Sequence, residues 1–560
     1  MAFIEAKEVK LQALLSNAQE AYKVPLYQRP YAWTRDQWEN LFEDINRLET
    51  TDVHFLGSIV VVPEGEHRLG VNYFQVVDGQ QRLATVLIWL SAIRDIAEEK
   101  GNDSVSSHLT ETFLFAKELE SDKRREVPKF QLGELDNDAF QRVLEGKPRK
   151  YNCSIFECYE YFKNKSNNGD IWKDLWKVLL NNISIVHINA FNHFNAFRLF
   201  ETLNDRGLEL SAADLIKNFL LMKVSFNEDI FKETISQWNE MYEKIRNKEP
   251  VKFIRRYVLS TYKGKVSESR LYEEVRKKLE KEKPKNIQDF VKNLNFNATI
   301  YKKIIDCNFS KDRINKKLQE LHLVEVSPSF TLLLKVIPYL LENEKISEDD
   351  IFNIMEMIEI FHIRWGICGQ STSRLDQIYN ELCMELSNKQ PGEFKETIKK
   401  KLLQEIKNNI DDEIFKRNFE NRLFRPNETR TKYILWKLSK PTGETVINIK
   451  DIQTEHILPR TLNSKDGEWV KYLEQKTSKT KEEIMALHKE NLNRIGNLTI
   501  IKSSWNISMS NRLFDEKKKD YEKSEFQITK KLLNYDKWTF EEISRRSKNL
   551  AEEAVRVWKI

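Results

Sequence analysis

Thr454-Glu455-His456-Ile457-Leu458-Pro459 is a short, largely apolar stretch that ends at a proline, and it predicts a strand that runs into a loop. Further along, Arg494-Ile495-Gly496-Asn497-Leu498 leads into a second apolar run that ends at Ile501, and a helical segment carrying Asn506 follows. Strand, long loop, strand and helix make a ββα unit. This unit is the most specific feature of the sequence.

The polar residues of the ββα unit suit phosphodiester hydrolysis, which needs a base to activate water and a cation to stabilise charge. His456 titrates near neutral pH and is expected to be that base. Glu455 is expected on the opposite face of the strand, as a carboxylate ligand for Mg²⁺, with the amide oxygen of Asn506 as a second ligand. Asn497 is expected to hold the histidine loop. Two basic side chains are expected to contact phosphate: Lys517 and Arg512.

A histidine beside a glutamate, taken alone, is more often a surface pair, but the joint spacing here resembles that of HNH endonucleases. The pattern consists of Glu-His-x-x-Pro at 455–459, Gly-Asn-Leu at 496–498, Asn506, Phe514 and Lys517. More closely, residues 422–524 resemble the nuclease domain of GmrSD-type modification-dependent restriction enzymes, with an asparagine in place of the last histidine. The resemblance implies a divalent cofactor, Mg²⁺ or Mn²⁺.

The second informative stretch is Asp78-Gly79-Gln80-Gln81-Arg82, which joins a predicted strand at 73–77 to a long predicted helix. A glycine turn at a helix start presents free N–H groups to an anion, and Arg82 can bind a phosphate through two hydrogen bonds. An ordinary strand-turn-helix would have the same pattern, with three leucines facing a core: Leu83, Leu87 and Leu90.

The N-terminal part carries several motifs that together resemble the ParB-like N-terminal domain of the same GmrSD-type family, over residues 10–225. They are Val-Pro-x-Tyr-Gln-Arg-Pro-Tyr-x-Trp at 24–33, Phe-Leu-Gly-Ser-Ile at 55–59, Asp-Gly-Gln-Gln-Arg-Leu at 78–83, Phe-Glu-Thr-Leu-Asn-Asp-Arg-Gly at 200–207 and Asp-Leu-Ile-Lys-Asn at 214–218. One departure is Ala84, where relatives usually have threonine. The missing hydroxyl weakens the expectation of nucleotide hydrolysis more than that of nucleotide binding.

The resemblance implies roles for three sets of N-terminal residues. A nucleoside triphosphate (GTP, ATP and UTP are not distinguished) would be bound by Asp78, Gly79, Gln80, Gln81, Arg82 and Thr85. Modified DNA would be sensed by Tyr27, Gln28, Arg29, Pro30, Tyr31 and Trp33. Support for the N-terminal site would come from Asn204, Arg206, Asp214 and Lys217.

Local structure elsewhere is predicted from periodicity. Residues 1–22 read as an amphipathic helix, and Thr34-Arg35-Asp36-Gln37 as a capping box that starts another. The basic stretch at 244–285 either neutralises DNA phosphates or is a solvated helix face. The tail at 534–560 is predicted as a helix on the nuclease finger, with Arg545 and Arg546 facing DNA or water.

Composition bounds these expectations. In 560 residues with 32% charged and 40% hydrophobic side chains, we expect about two to four domains. The net charge of +5 is too small to indicate a nucleic-acid partner by itself. The absence of a long apolar run argues against a membrane span. Five scattered cysteines and no signal-peptide pattern indicate a reducing cytoplasm.

The sequence therefore predicts an α+β, predominantly helical protein with a ParB-like domain at 1–225, a helical spacer at 226–417 and an HNH domain with its ββα-metal finger at 418–560. The expected function is modification-dependent DNA cleavage, with nucleotide bound or hydrolysed by the N-terminal domain. A homodimer is one assembly considered for the chain. The alternatives are a nucleotide-dependent DNA-binding defence or regulatory protein with an inert finger, and an RNA-directed nuclease.

Overall fold

The computed structural model describes residues 4–25, 28, 30–49, 52–68, 70–120, 123–196, 199, 211–245, 248–341, 345–439, 451–462, 468–503 and 511–560. Some predicted site residues lie outside these ranges: Tyr27, Arg29, Asn204, Arg206 and Asn506.

The described strands lie at the two ends of the chain. They are β1 Ile4–Lys10, β2 Glu20–Lys23, β3 His54–Arg68, β4 Val71–Asp78, β5 Phe115–Glu120, β6 Lys123–Pro128, β7 Phe130–Gln131, β8 Ile183–Ala190, β9 Ile452–His456 and β10 Leu498–Lys502.

Helices make up most of the rest. Up to residue 306 they are α1 Leu11–Ser16, α2 Arg35–Asn46, α3 Gln80–Glu99, α4 Asp103–Leu109, α5 Glu134–Leu144, α6 Ser154–Asn167, α7 Trp172–Asn181, α8 Ala212–Val224, α9 Glu228–Ile245, α10 Pro250–Thr261, α11 Leu271–Leu279 and α12 Pro284–Asp306. Beyond it they are α13 Asp312–Leu323, α14 Phe330–Leu341, α15 Glu348–Ile367, α16 Thr372–Leu386, α17 Phe394–Asn409, α18 Asp412–Asn421, α19 Thr429–Leu438, α20 Glu468–Thr477, α21 Lys481–Asn491, α22 Phe514–Tyr521, α23 Gln527–Lys530 and α24 Phe540–Val557.

The chain packs as two compact units. The first comprises residues 1–251 and 267–296, and the second comprises residues 252–266 and 297–560. The three-part division at residues 225 and 417 remains a prediction.

A mixed sheet organises the first unit, with the strand order β1-β8-β3-β4-β2-β7. Its central strand β3 is covered on both faces. Ile59 and Val61 face the large core that contains α3, whereas Val60 and Val62 face a second core that includes Leu221 of α8. Side chains alternate across a strand, so a continuous run of apolar residues serves two cores at once.

The start of the chain corrects one prediction. Instead of a helix over 1–22, residues 4–23 form strand β1, the short helix α1 and strand β2. Leu11, Leu14 and Leu15 are buried in α1. The helical spacing of apolar residues therefore reflects this six-residue helix and not the whole stretch. The extended conformation is favoured because both segments pair with another strand of the sheet: β1 pairs with β8, and β2 pairs with β4.

In the described part of the second unit, the named elements are helices and the antiparallel ribbon of β9 and β10. With the mixed sheet in the N-terminal unit, this confirms the predicted α+β, predominantly helical class. Among the described residues, no helix is both long and apolar enough to cross a membrane.

Candidate functional site

The end of strand β9 brings Glu455 and His456 to the edge of one cavity. In the ribbon, Glu455 pairs with Thr499 and His456 pairs with Leu498. Both residues line a cavity of about 470 Å³. The expectation that the two side chains serve opposite faces of the strand stays a prediction.

The imidazole of His456 is held from both nitrogens. Its Nε2 lies 3.0 Å from Oδ1 of Asn493, and Nε of Arg460 donates to its Nδ1 at 3.4 Å. Because Oδ1 can only accept, the proton sits on Nε2 and the lone pair on Nδ1. Burial lowers the pKa of His456 to about 4, and the nearby charge of Arg460 adds to this. The ring is thus neutral at neutral pH and able to accept a proton.

The side chain of Asn497 ties the histidine loop to the second strand. Its Oδ1 accepts from the backbone N–H of Leu458 at 2.7 Å, and its Nδ2 donates to the carbonyls of Leu458 and Leu492 at 3.0 and 2.9 Å. The indole N–H of Trp538 donates to the same Oδ1 at 3.2 Å. With every donor and acceptor used and the residue fully buried, Asn497 fixes the loop and is not available to a ligand.

Lys517 corrects a second prediction, because it does not face the solvent. The side chain is fully buried, and its Nζ donates to Oε1 of Glu455 at 2.6 Å and to the carbonyls of His456 and Ile457 at 2.9 and 3.3 Å. Burial lowers the pKa of Lys517 and raises that of Glu455, while their ion pair opposes both shifts. An ammonium enclosed by three oxygens orients Glu455 instead of contacting a phosphate of DNA.

The other predicted residues of this site are less enclosed. Arg512 forms a 2.8 Å salt bridge with Asp520, and its side chain is 38% exposed, so it remains open to a phosphate. Asn506, the expected second metal ligand, lies outside the described residues. The residues that sequence reasoning missed line the same cavity: Asn427, Lys432, Arg460 and Asn511. Of these, Arg460 could have been found from the sequence, since it directly follows the Glu-His-x-x-Pro motif.

The C-terminal helix α24 closes on the turn before β10. Arg546 donates to the carbonyls of Gly496 and Leu498, both at 2.7 Å, and the N–H of Gly496 donates to Ser547 at 3.0 Å. A Cβ at residue 496 would come within 2.1 Å of the carbonyl oxygen of Ile543. Arg546 is therefore a buried structural residue, and the prediction that it faces DNA or water is wrong.

In the N-terminal unit, the Asp-Gly-Gln-Gln-Arg motif forms the predicted turn. Gly79 has a left-handed φ of 90° and precedes α3. The Arg82 guanidinium donates to the carbonyl of Leu56 at 3.1 Å and to Asp78 at 3.2 Å. It lies directly over Gly57, where a Cβ would be 1.8 Å from Nη1. Two of the Arg82 N–H donors that were expected to bind phosphate are thus already used within the protein.

The rest of this motif holds the aromatic segment at 30–33. Gln81 accepts from the N–H of Ala32 at 2.7 Å and donates to the carbonyl of Pro30 at 3.2 Å. The hydroxyls of Tyr31 and Thr85 lie 2.7 Å apart in the core. Since Tyr31 is 7% exposed and Thr85 is fully buried, neither is open to DNA or to a nucleotide in this structure. Trp33 also packs against the core.

A large cavity of about 1220 Å³ lies elsewhere in the same unit. It is lined by two residues of the predicted DNA-sensing set, Gln28 and Pro30, and by two of the predicted supporting set, Asp214 and Lys217. The Asp78–Arg82 motif does not border it. The Asp78–Arg82 motif instead contacts the aromatic segment directly, through the hydrogen bonds of Gln81 to Ala32 and Pro30.

Comparison with known families matches both ends of the chain. The family described as the N-terminal domain of GmrSD restriction endonucleases matches residues 11–221, and the one described as their C-terminal domain matches residues 409–553. The chain is a GmrSD-type restriction endonuclease. No curated protein matched it.

Membership of the GmrSD-type family implies that DNA is the substrate, and each matched region contains features described above. The C-terminal match contains the whole β9–β10 ribbon with its cavity, and the N-terminal match contains the six-stranded sheet from α1 onwards and Lys217. Within the described ranges, the five cysteines are unpaired, and no three histidine, cysteine or acidic side chains cluster as metal ligands.

The basic stretch at 244–285 is partly neutralised within the protein. Arg255 and Arg256 both form salt bridges with Asp376 in the second unit, and each of the two arginine side chains is mostly buried. Lys244 pairs with Glu240 at 2.8 Å. These side chains are therefore engaged with acidic partners, which favours the structural reading of this stretch over DNA binding for the residues concerned.

Proposed function

We propose that this GmrSD-type endonuclease cuts modified DNA through an HNH-type reaction that depends on Mg²⁺ or Mn²⁺, and that its N-terminal unit binds a nucleotide. One observation carries the proposal. Glu455, His456 and Arg460 line a single cavity, while Asn493 and Asn497 fix the imidazole and its loop. A base, a hard oxygen donor and a cation then converge where a phosphodiester would enter.

His456 takes the proton of the attacking water at Nδ1, the nitrogen that keeps its lone pair. Asn493 holds the opposite nitrogen at 3.0 Å, so the ring keeps its orientation when Nδ1 accepts the proton. A base whose pKa lies near 4 is neutral over the physiological range. Positioned general bases contribute roughly a hundredfold or more to such reactions.

The residues present fit a divalent cation at Glu455. Glu455 lines the cavity and its Oε1 accepts from Lys517 at 2.6 Å; burial raises the pKa of Glu455, a cost that a bound cation would offset. Oγ1 of Thr454, also on the cavity, is buried without a hydrogen-bond partner in the described part of the chain. A bound Mg²⁺ would supply charge stabilisation for the phosphate and the leaving oxygen. Asn506 remains the proposed second ligand.

Arg460 and Lys432 are the proposed phosphate contacts, in place of Lys517. Arg460 is exposed at the cavity, and Lys432 lines it from α19. In this structure, Nε of Arg460 donates a hydrogen bond to Nδ1 of His456, the nitrogen that would accept the proton of water. When water takes that position, the guanidinium moves onto a phosphate oxygen, for which it is the better partner because the charge and the planar geometry match.

For the N-terminal unit, we propose nucleotide binding and recognition of a DNA modification. The family match at 11–221 supports this, as does a cavity lined by Gln28 and Pro30. In one chain, recognition by this unit raises the effective concentration of the nuclease at the marked DNA.

The function is tested by incubating the purified protein with unmodified, methylated, glucosylated and phosphorothioated DNA, with Mg²⁺, Mn²⁺ or EDTA, and with or without GTP, ATP or UTP. We expect cleavage of at least one modified DNA, lost in EDTA. Binding without cleavage under every condition would favour an inert finger, and cleavage confined to a parallel RNA substrate would favour the RNA-directed reading.

A further inference from the structure

A cluster of four charged side chains joins the helices α13, α15 and α19 of the second unit. Lys317 of α13 pairs with Oε2 of Glu359 on α15, and its Nζ also lies 3.0 Å from Oε2 of Glu320. Nζ of Lys437, on α19, lies 3.4 Å from Oε2 of Glu320 and 3.7 Å from Oε1 of Glu359. Each carboxylate of this four-charge cluster thus contacts both ammonium groups.

The four-charge cluster is largely enclosed by protein. The side chains of Lys317 and Glu359 are 3% and 4% exposed, and those of Lys437 and Glu320 are 28% and 27% exposed. Burial alone would raise the pKa of Glu359, but the two lysines hold it below its usual value. Buried ion pairs contribute little net stability, because the cost of desolvation offsets the attraction. The cluster is better explained by a requirement for one defined arrangement of the three helices.

Two more side chains hold the same side of α19. The hydroxyl of Tyr433 donates to Oε2 of Glu320 at 3.3 Å, and Nη2 of Arg430 donates to the carbonyl of Val324 at 2.8 Å. Residues 430, 433 and 437 are spaced by three and four positions, so they share one face of the helix. This face of α19 is therefore fixed by polar contacts at successive turns.

Lys432 lies on a different face of α19. It directly precedes Tyr433, so the two side chains point about 100° apart around the helix. Lys432 lines the cavity of about 470 Å³ that Glu455 and His456 also line, and α19 packs against the strands β9 and β10. Because close-packed interiors transmit displacements, the contacts on one face of α19 set the position of Lys432 on the other.

We propose that the four-charge cluster and Tyr433 position α19 so that Lys432 reaches a phosphate of DNA at the nuclease cavity. Glu320 and Tyr433 are then positioning residues, which act through Lys432 and do not touch the substrate. The inference rests on the proposed role of Lys432 as a phosphate contact. It also gives the predicted helical spacer at 226–417 a part in the nuclease site, since α13 and α15 belong to that region.

The test measures the salt dependence of DNA binding by the full chain, in EDTA so that the DNA is not cut. The probes are short DNA duplexes, unmodified, methylated, glucosylated and phosphorothioated. Glu320→Gln disrupts the four-charge cluster without removing a cation, and Tyr433→Phe removes one hydrogen bond at nearly constant shape. Glu356→Gln is the charge-matched control, because Glu356 is an exposed carboxylate of α15. Melting temperatures identify any variant that fails to fold, and Tyr433→Phe decides if Glu320→Gln does.

The readout is the slope of log affinity against log salt concentration. We expect Lys432→Ala to reduce the slope by about one, and Glu320→Gln and Tyr433→Phe to reduce it by at least about half as much. Loss of an acidic charge by itself favours DNA binding, so we expect Glu356→Gln to bind as tightly as wild type or more tightly. Weaker binding by Glu320→Gln would therefore report the displaced Lys432 and not the change in charge.

A double-mutant cycle separates positioning from a direct effect. If Glu320 and Tyr433 act through Lys432, neither substitution should reduce the slope further in the Lys432→Ala protein. Equal reductions with and without Lys432 would overturn the inference. So would a wild-type slope in both Glu320→Gln and Tyr433→Phe, although Lys432 would remain a phosphate contact if Lys432→Ala reduces the slope.

Failure of the underlying proposal has a different signature. If Lys432→Ala keeps the wild-type slope, Lys432 does not contact phosphate, and the inference falls with that part of the proposed function. Metal-dependent cleavage of DNA with His456 as the base would still stand, because it is measured separately in the presence of Mg²⁺.

Discussion

Asn493 holds His456 through a 3.0 Å hydrogen bond between its Oδ1 and the imidazole Nε2. The bond connects the segment before β10 with the end of β9, and it fixes the tautomer that leaves Nδ1 free to accept a proton. Asn493 is thus a positioning residue for the proposed base.

Asn493→Ala is expected to lower kcat for DNA cleavage roughly tenfold to a hundredfold, part of what a positioned base contributes, with little change in KM. Asn493→Asp keeps an oxygen that accepts from Nε2, so it should retain more activity than the alanine variant. Circular dichroism and the melting temperature serve as controls for folding. Equal activity in the asparagine and alanine proteins would contradict this role.

Arg460→Ala is expected to raise KM for DNA and to lower kcat, because its exposed guanidinium is a proposed contact of the substrate phosphate. Removing a rim charge that pairs with phosphate should also flatten the salt dependence of binding. Arg425→Ala is the control, since the Arg425 side chain is 84% exposed and, among the residues the structure describes, forms its salt bridge with Glu428. Indistinguishable kinetics for the two variants would show that Arg460 does not meet the substrate.

Gly496→Ala is expected to destabilise the second unit by about 3 kcal/mol, at the upper end for overpacking. The added Cβ would lie 2.1 Å from a backbone oxygen of α24 and 2.4 Å from the hydroxyl of Ser547, and neither can retreat without moving the helix. Gly392→Ala, where no atom lies within 4 Å of the added Cβ, should be close to neutral. Thermal unfolding of both proteins makes the comparison, and similar melting temperatures would refute the close packing.

His362 makes stability sensitive to acid. The ring is buried against Tyr379, with centroids 5.7 Å apart, and burial lowers its pKa to about 3, with Arg430 and Arg256 adding to the effect. A folded pKa below the unfolded value of 6.5 means that the stabilisation is complete above pH 6.5 and is lost as the pH falls towards 3. Between pH 7.5 and 5 this amounts to about 2 kcal/mol.

The measurement is the denaturant-induced unfolding of wild type and His362→Phe at pH 7.5 and pH 5. Phenylalanine keeps the ring against Tyr379 and cannot be protonated. The wild type should therefore lose about 2 kcal/mol relative to the variant on going to pH 5. A constant difference between the two proteins at both pH values would mean that His362 is not buried as a neutral ring.

Local patterns predicted much of this molecule. The capping box at Thr34 and Gln37, the strand-turn-helix at Gly79 and the antiparallel pair β9–β10 all formed as their sequences indicate. Each depends on neighbours in the chain or on a turn that only glycine adopts easily. The helix predicted over 1–22 failed because pairing with β8 and β4 is decided by residues far along the chain.

Burial of charged and polar side chains was the feature that local patterns missed. Lys517, Arg546 and Thr85 were read as side chains for phosphate, DNA or nucleotide, and each is buried with partners inside the protein. Nothing in the spacing of a lysine tells which carboxylate it will meet. Asn493 and Lys432 were missed because only the fold brings Asn493 to the ring of His456 and Lys432 to the cavity.

The central claim, that His456 is the base of a metal-dependent nuclease, is tested most directly by single-turnover cleavage with His456→Ala and His322→Ala. His322 is a half-buried histidine of the same unit, away from the cavity. We predict that His456→Ala binds the modified DNA with wild-type affinity but cleaves it at least about a hundredfold more slowly, whereas His322→Ala cleaves at the wild-type rate. Cleavage by His456→Ala at the wild-type rate would contradict the account.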